Sequence, residues 1–120
     1  MEPFELGYPR TELRRELVAA VLSGAKTATA SLREPGEAAP ATGTRYVLQG
    51  YDDEPVAIIE VTEARIVPVS EIDLDFARDE GEGFESVEDW RLAHEQFFEQ
   101  PLTPETEIVA VRFKVVERLS

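Results

Sequence analysis

Apolar side chains first recur at helical spacing at Leu13, Leu17, Ala20 and Val21, predicting a helix from roughly Thr11 to Ser23. Thr11, just after Pro9, can cap its start, and Gly24 falls where a left-handed C-terminal residue belongs. From Thr27 the period drops to two: Thr27, Thr29 and Ser31 share one face, and Ala28, Ala30 and Leu32 the other. That is a strand with a hydroxyl-lined side. Arg45 to Gln49 and Val56 to Val67, rich in Val, Ile, Tyr and Thr, flank the turn-prone run Gly50 to Pro55 and read as an antiparallel pair. Glu107 to Glu117 alternates again as a last strand. Ser70 with Asp73, and Ser86 with Asp89, resemble capping boxes, predicting a short helix near 71–78 and a longer one near 87–98. Strands grouped in sequence, with the order helix, three strands, two helices, strand, argue for an α+β fold around a mostly antiparallel, barrel-like sheet.

With 120 residues, no repeat, and only the Pro- and Gly-punctuated stretch from Arg33 to Gly43 resembling a linker, one domain over residues 1–120 is the economical expectation. The absence of cysteine excludes disulfides, thiolate nucleophiles and Cys-rich zinc sites, and the single histidine, His94, cannot build a multi-histidine centre. No motif calls for a metal or cofactor, although Asp/Glu metal sites stay formally open. The start of the chain has neither a basic nor an apolar leader, and no apolar run approaches the roughly 20 residues that span a bilayer. The expectation is a cytoplasmic protein without membrane contact.

Charge changes the picture further. The net charge is −13, and all of the excess lies in residues 51–120, where 6 basic side chains face 19 acidic ones. Such a surface repels phosphate backbones, so broad nucleic-acid binding is not expected. Solubility alone accounts for the charge equally well.

Three segments carry candidate chemistry. Ser23 to Ser31 turns a glycine-ended helix directly into a strand, with Lys26, the only lysine before position 114, at the turn. Strand parity would put Lys26 and Thr29 on opposite faces, so the lysine meets the hydroxyls only if it belongs to the turn. There it can hold an anionic or carbonyl oxygen, or act on a neighbouring hydroxyl. The plainer alternative is an exposed lysine answering the helix dipole. No phosphate loop is present, since G-x-x-x-x-G-K-[ST] does not occur. The second segment, Phe76 to Phe84, interleaves Glu80 and Glu82 with Gly81 and Gly83 just before a capped helix. Its carboxylates can act as base or accept from a base edge, or are simply solvated. The third sets Trp90, His94, Phe97 and Phe98 on one helical face. Core packing explains that stripe, and so does a pocket wall in which Trp90 or His94 stacks on a planar ligand.

Taken together, Gly24-x-Lys26-Thr27-x-Thr29, Glu80-Gly81-Glu82-Gly83 and Trp90-Arg91-x-x-His94-x-x-Phe97-Phe98 resemble the ASCH domain family over nearly the whole chain, most closely its bacterial single-domain members. The resemblance implies a small PUA-like, mostly antiparallel β-barrel with flanking helices. It also implies RNA-related binding, ribonuclease activity in some members, and in one bacterial branch removal of the acetyl group of N4-acetylcytidine. In that branch a lysine, a threonine three residues later and a loop glutamate form the catalytic set. They match Lys26, Thr29 and Glu80, with Glu82 an alternative to Glu80. Ser31 stands where the branch commonly has an arginine, so the anion clamp is missing.

Three readings follow. In the first, an amidohydrolase acts on a modified nucleoside or similar small ligand: Thr29 attacks the amide, Lys26 serves as base or charge stabiliser, and Glu80 orients Lys26 or the cytosine amine. Thr27, Ser31, Tyr46, Glu82, Trp90 and His94 would contact the ligand. In the second, the chain binds a nucleoside or modified RNA base without turnover, with Trp90 or Tyr46 as the stacking wall. The third is a ribonuclease, opposed by residues 71–107, where 2 basic face 13 acidic side chains. If Lys26 is catalytic on a surface turn, Lys26→Ala is expected to abolish turnover while leaving melting nearly unchanged, whereas a large loss of stability would mark the lysine as structural. Oligomeric state is not legible.

Overall fold

The computed structural model describes residues 1–4, 6 and 11–119. Pro9, placed before the first helix in the sequence reading, lies outside them. Helix α1 (Glu12–Ser23) ends where expected: Gly24 is left-handed (φ 86°), its N–H reaches Val21 O, and Lys26 N–H closes on Ala20 O at 3.0 Å. Thr11 occupies the N-cap position in extended conformation but makes no side-chain cap bond.

Strands β1 (Ala28–Leu32), β2 (Arg45–Gln49), β3 (Pro55–Pro68) and β4 (Glu107–Arg118) form one antiparallel sheet in the order β1-β4-β3-β2. The long β3–β4 pair carries register shifts at Ile58/Ile59 and Val61/Glu63. Such bulges sharpen twist, and the sheet curls into a half-barrel rather than closing: β1 and β2 are its two edges. The N-terminal segment lies along β2, with Phe4 N–H on Val47 O and Val47 N–H on Glu2 O.

Between β3 and β4 come a 3-10 turn (Val69–Glu71), α2 (Leu74–Asp79) and α3 (Val87–Phe98). Ser86 caps α3 by accepting from Asp89 N–H at 3.0 Å. The Ser70–Asp73 capping box does not form. Ser70 sits inside the 3-10 turn, and Asp73 itself is the N-cap of α2, accepting from Phe76 N–H at 2.8 Å.

Helix α1 covers one face of the sheet, where Leu17, Val18 and Val21 pack on Leu48, Ile59 and Phe113. Helices α2 and α3 cover the other, where Phe76, Ala77 and Trp90 pack on Ala28, Ile108 and Ala110. Central strand β4, covered on both faces, is buried continuously from Ile108 to Val111 instead of alternating. Among the described residues no helix is long and apolar enough to cross a membrane.

Candidate functional site

The closed end of α1 projects Lys26 into the turn leading to β1, and the loop after α2 folds onto that turn. Gly81 makes the approach. Its φ is +72°, and a Cβ there would stand 2.5 Å from Ala25 O and 2.9 Å from Lys26 Cα. Only glycine satisfies both conditions. Thr27 N–H donates to Asp79 O at 2.7 Å, and Asp79 is tied in turn to Arg112 of β4. Glu80 and Glu82, on either side of Gly81, are thereby carried to the lysine.

Lys26 is 2% exposed. Its Nζ donates to Ala28 O at 2.8 Å and Glu80 O at 3.1 Å, and lies 3.5 Å from Glu82 Oε2 and 3.7 Å from Glu80 Oε1. This corrects the expectation of a dispensable surface lysine: an ammonium enclosed by two carbonyls and two carboxylates is part of how the loop is held. Glu80, 1% exposed, receives Trp90 Nε1–H on Oε2, and His94 Nε2 stands 3.3 Å from the same oxygen. The His94 ring stacks on Trp90 with centroids 4.3 Å apart and donates from Nδ1 to Trp90 O at 2.8 Å. Phe84 and Phe98 enclose its remaining sides.

Beside this charge cluster opens a cavity of about 530 Å³. Lys26, Thr29, Ser31, Glu80, Glu82 and His94 contribute its polar lining. Among the described residues the Thr29 hydroxyl has no hydrogen-bond partner, so it is free to meet a ligand. Glu82 is the outer carboxylate, with its side chain 29% exposed against 1% for Glu80. Burial raises its pKa and the Glu80 charge adds to this, while Lys26 and His94 pull the other way. For His94, burial opposes the charged form, but the hydrogen bond and charge of Glu80, the Trp90 carbonyl and Glu82 outweigh it, and its pKa is raised. Among the described residues no group of His, Asp and Glu is arranged to hold a metal ion.

Three sequence assignments do not reach the cavity. Trp90 is fully buried in the core and acts on Glu80, so it offers no wall to a ligand. Tyr46 leans on Phe4, with ring centroids 5.5 Å apart, under the α1 face of the sheet. Thr27 is exposed beyond the strand end, its backbone spent on Asp79 O and Phe113 N. Conversely, Leu13 and Leu17 of α1, Phe84, and Phe97, which is 50% exposed, line the cavity and were missed. The helical stripes holding Leu13, Leu17 and Phe97 were legible, but which part of a stripe meets a cavity depends on how the helices are set against the sheet, and Phe84 lies on the loop before α3.

A half-barrel of this topology is the PUA-like fold of ASCH domains, and the ASCH domain family model matches residues 6–117. The chain belongs to that family. Its fold is similar to that of a DUF984 protein from Enterococcus faecalis, with a TM-score of 0.85 and 26% identity over 98% of this chain and 77% of that one. An ASCH domain from Lactobacillus crispatus superposes with a TM-score of 0.73 and 31% identity, covering 85% of this chain and 71% of that one. An ASCH protein from Zymomonas mobilis shares the fold at a TM-score of 0.57 and 17% identity, over 86% of this chain and 66% of that one. Among curated proteins none matches the chain.

Proposed function

We propose that the cavity binds a small nucleoside-like ligand carrying an amide and hydrolyses that amide, in line with the RNA- or nucleoside-related binding or hydrolysis that family membership suggests. One observation carries the reading: Lys26 and Thr29, from the turn and strand after α1, and Glu80, from the distant loop after α2, line one cavity, with Lys26 and Glu80 buried. In this mechanism Thr29 Oγ1 bonds to the amide carbonyl carbon and its proton passes to Glu82. Lys26 stabilises the developing oxyanion. As the C–N bond breaks, Glu82 returns the proton to the departing amine. Water then cleaves the threonine ester by the same route, releasing the acid. Burial raises the pKa of Glu82 above its ordinary value, which makes it a better proton acceptor than an exposed glutamate. Glu80, enclosed by Lys26, Trp90 and His94, holds the lysine in place.

A binding-only module is the second reading, and one observation favours it. Both short hydrogen bonds of Lys26 Nζ go to backbone carbonyls, Ala28 O and Glu80 O, so the ammonium is largely committed to structure. Acetate release from N4-acetylcytidine, measured for wild type and Thr29→Ala beside calorimetric binding, separates the two. The hydrolase reading expects turnover in wild type only, with binding kept in the variant. Binding without turnover in both proteins would leave recognition alone, and neither would sink the nucleoside assignment.

A further inference from the structure

His94 is the only histidine in the chain and Trp90 the only tryptophan, and both meet the same carboxylate oxygen of Glu80. The atoms around the imidazole decide its protonation. Nδ1 lies 2.8 Å from the Trp90 carbonyl oxygen, which can only accept, so Nδ1 carries a proton. Nε2 stands 3.3 Å from Glu80 Oε2, with the two side chains only 8% and 1% exposed. A carboxylate this close, in a place with little water, stabilises a positive ring over a neutral one. The second proton of the pair belongs to nitrogen. Imidazole is the stronger base by about two units in ordinary surroundings. Glu80 is also served already by Trp90 Nε1–H on that oxygen and by Lys26 Nζ 3.7 Å from the other.

We infer that His94 is a positioning residue acting as a buried imidazolium: with Trp90 it pins the Glu80 carboxylate beside Lys26, and the site loses this arrangement when His94 gives up its proton. The charged groups facing the ring support this. The loop between α2 and α3 contributes two carboxylates, Glu80 and Glu82, and the turn before β1 contributes one cation, Lys26. The rest of the enclosure is uncharged: Trp90, Phe84 and Phe98. Two anions against one cation favour the charged ring. Loss of its proton would take a positive charge from beside the buried Glu80 carboxylate, and the loop holding Glu80 and Glu82 would shift in response. This rests on contacts within the protein, so it stands whether or not the cavity hydrolyses an amide.

The test uses the whole chain and needs no ligand, because each reporter is unique. Nitrogen NMR near pH 6.5 should show both ring nitrogens of His94 as N–H, and proton NMR should give a His94 titration midpoint above about 6.5. The Trp90 indole N–H and the Gly81 and Gly83 amides should move with the same midpoint. Glu80→Gln should lower that midpoint by at least about one unit, a tenfold loss of proton affinity. A neutral ring near pH 6.5, or a His94 midpoint at or below 6.5, would overturn the imidazolium. Glycine amides that ignore the His94 midpoint would overturn its positioning role. Neither the nitrogen shifts nor the amide titration depends on a variant that must fold.

Discussion

Replacing Gly81 with alanine tests how the site is assembled. The residue has φ +72°, and its added Cβ would meet Ala25 O at 2.5 Å, Ala25 C at 2.7 Å and Lys26 Cα at 2.9 Å. All three are backbone atoms of a turn anchored by Lys26 N–H on Ala20 O and Thr27 N–H on Asp79 O. No side-chain rotation relieves the contact. A left-handed backbone costs an L side chain ~1–2 kcal/mol, and forcing a methyl into packed structure costs a further ~1–3 kcal/mol. Gly81→Ala should therefore lose ~2–5 kcal/mol by summing those two costs. Gly83 is the internal control: its φ is +84°, but nothing lies within 4 Å of the added Cβ. Only the backbone cost applies there, ~1–2 kcal/mol. Urea unfolding followed by Trp90 fluorescence gives both values, and melting should fall by roughly 4 °C per kcal/mol in a chain of this size. Equal losses in the two variants would refute the claim that close approach to the lysine turn is what glycine at 81 supplies.

Three further outcomes follow from the same contacts. Lys26→Ala removes a cation from a buried cluster and leaves Glu80 and Glu82 to share His94 alone, so it should cost ~3–5 kcal/mol in denaturant unfolding; an unchanged midpoint would restore the surface-lysine view. Trp90→Phe keeps most of the core volume but leaves Glu80 short of a donor, a loss of ~1–3 kcal/mol beyond any packing change. If Trp90→Phe proved neutral while Trp90→Ala lost ~3–5 kcal/mol, the indole would matter only as bulk. His94 has a raised folded pKa, so its contribution to stability is complete below the unfolded value of about 6.5 and is lost as pH rises through the folded one. Melting temperature should decline across that window in wild type, and a His94→Gln chain should lack that component.

Local signals were sufficient where one element answers to one pattern. Strand β2 (Arg45–Gln49) and helix α3 (Val87–Phe98) lie where alternation and the Ser86 cap put them, and Gly24 ends α1 because only glycine takes the left-handed turn cheaply. The α+β class and the ASCH resemblance were legible for the same reason, since short motifs and periodicity survive in the linear chain. Burial on a particular face did not. Ile108 to Val111 are all buried because β4 is central and covered on both sides, a fact about neighbours. The sequence left Glu80 and Glu82 interchangeable, two residues apart on one acidic loop. In the folded chain the Gly81 contact sends one inward against Lys26, Trp90 and His94 and leaves the other at the cavity edge. Trp90 could be core or ligand wall until the setting of α3 against the sheet sealed it. By itself the sequence determined the elements and the chemical kinds of side chain available. Tertiary structure alone decided which of them meet, because charge pairing and desolvation depend on distances between segments far apart in the chain, 56 residues in the case of Lys26 and Glu82.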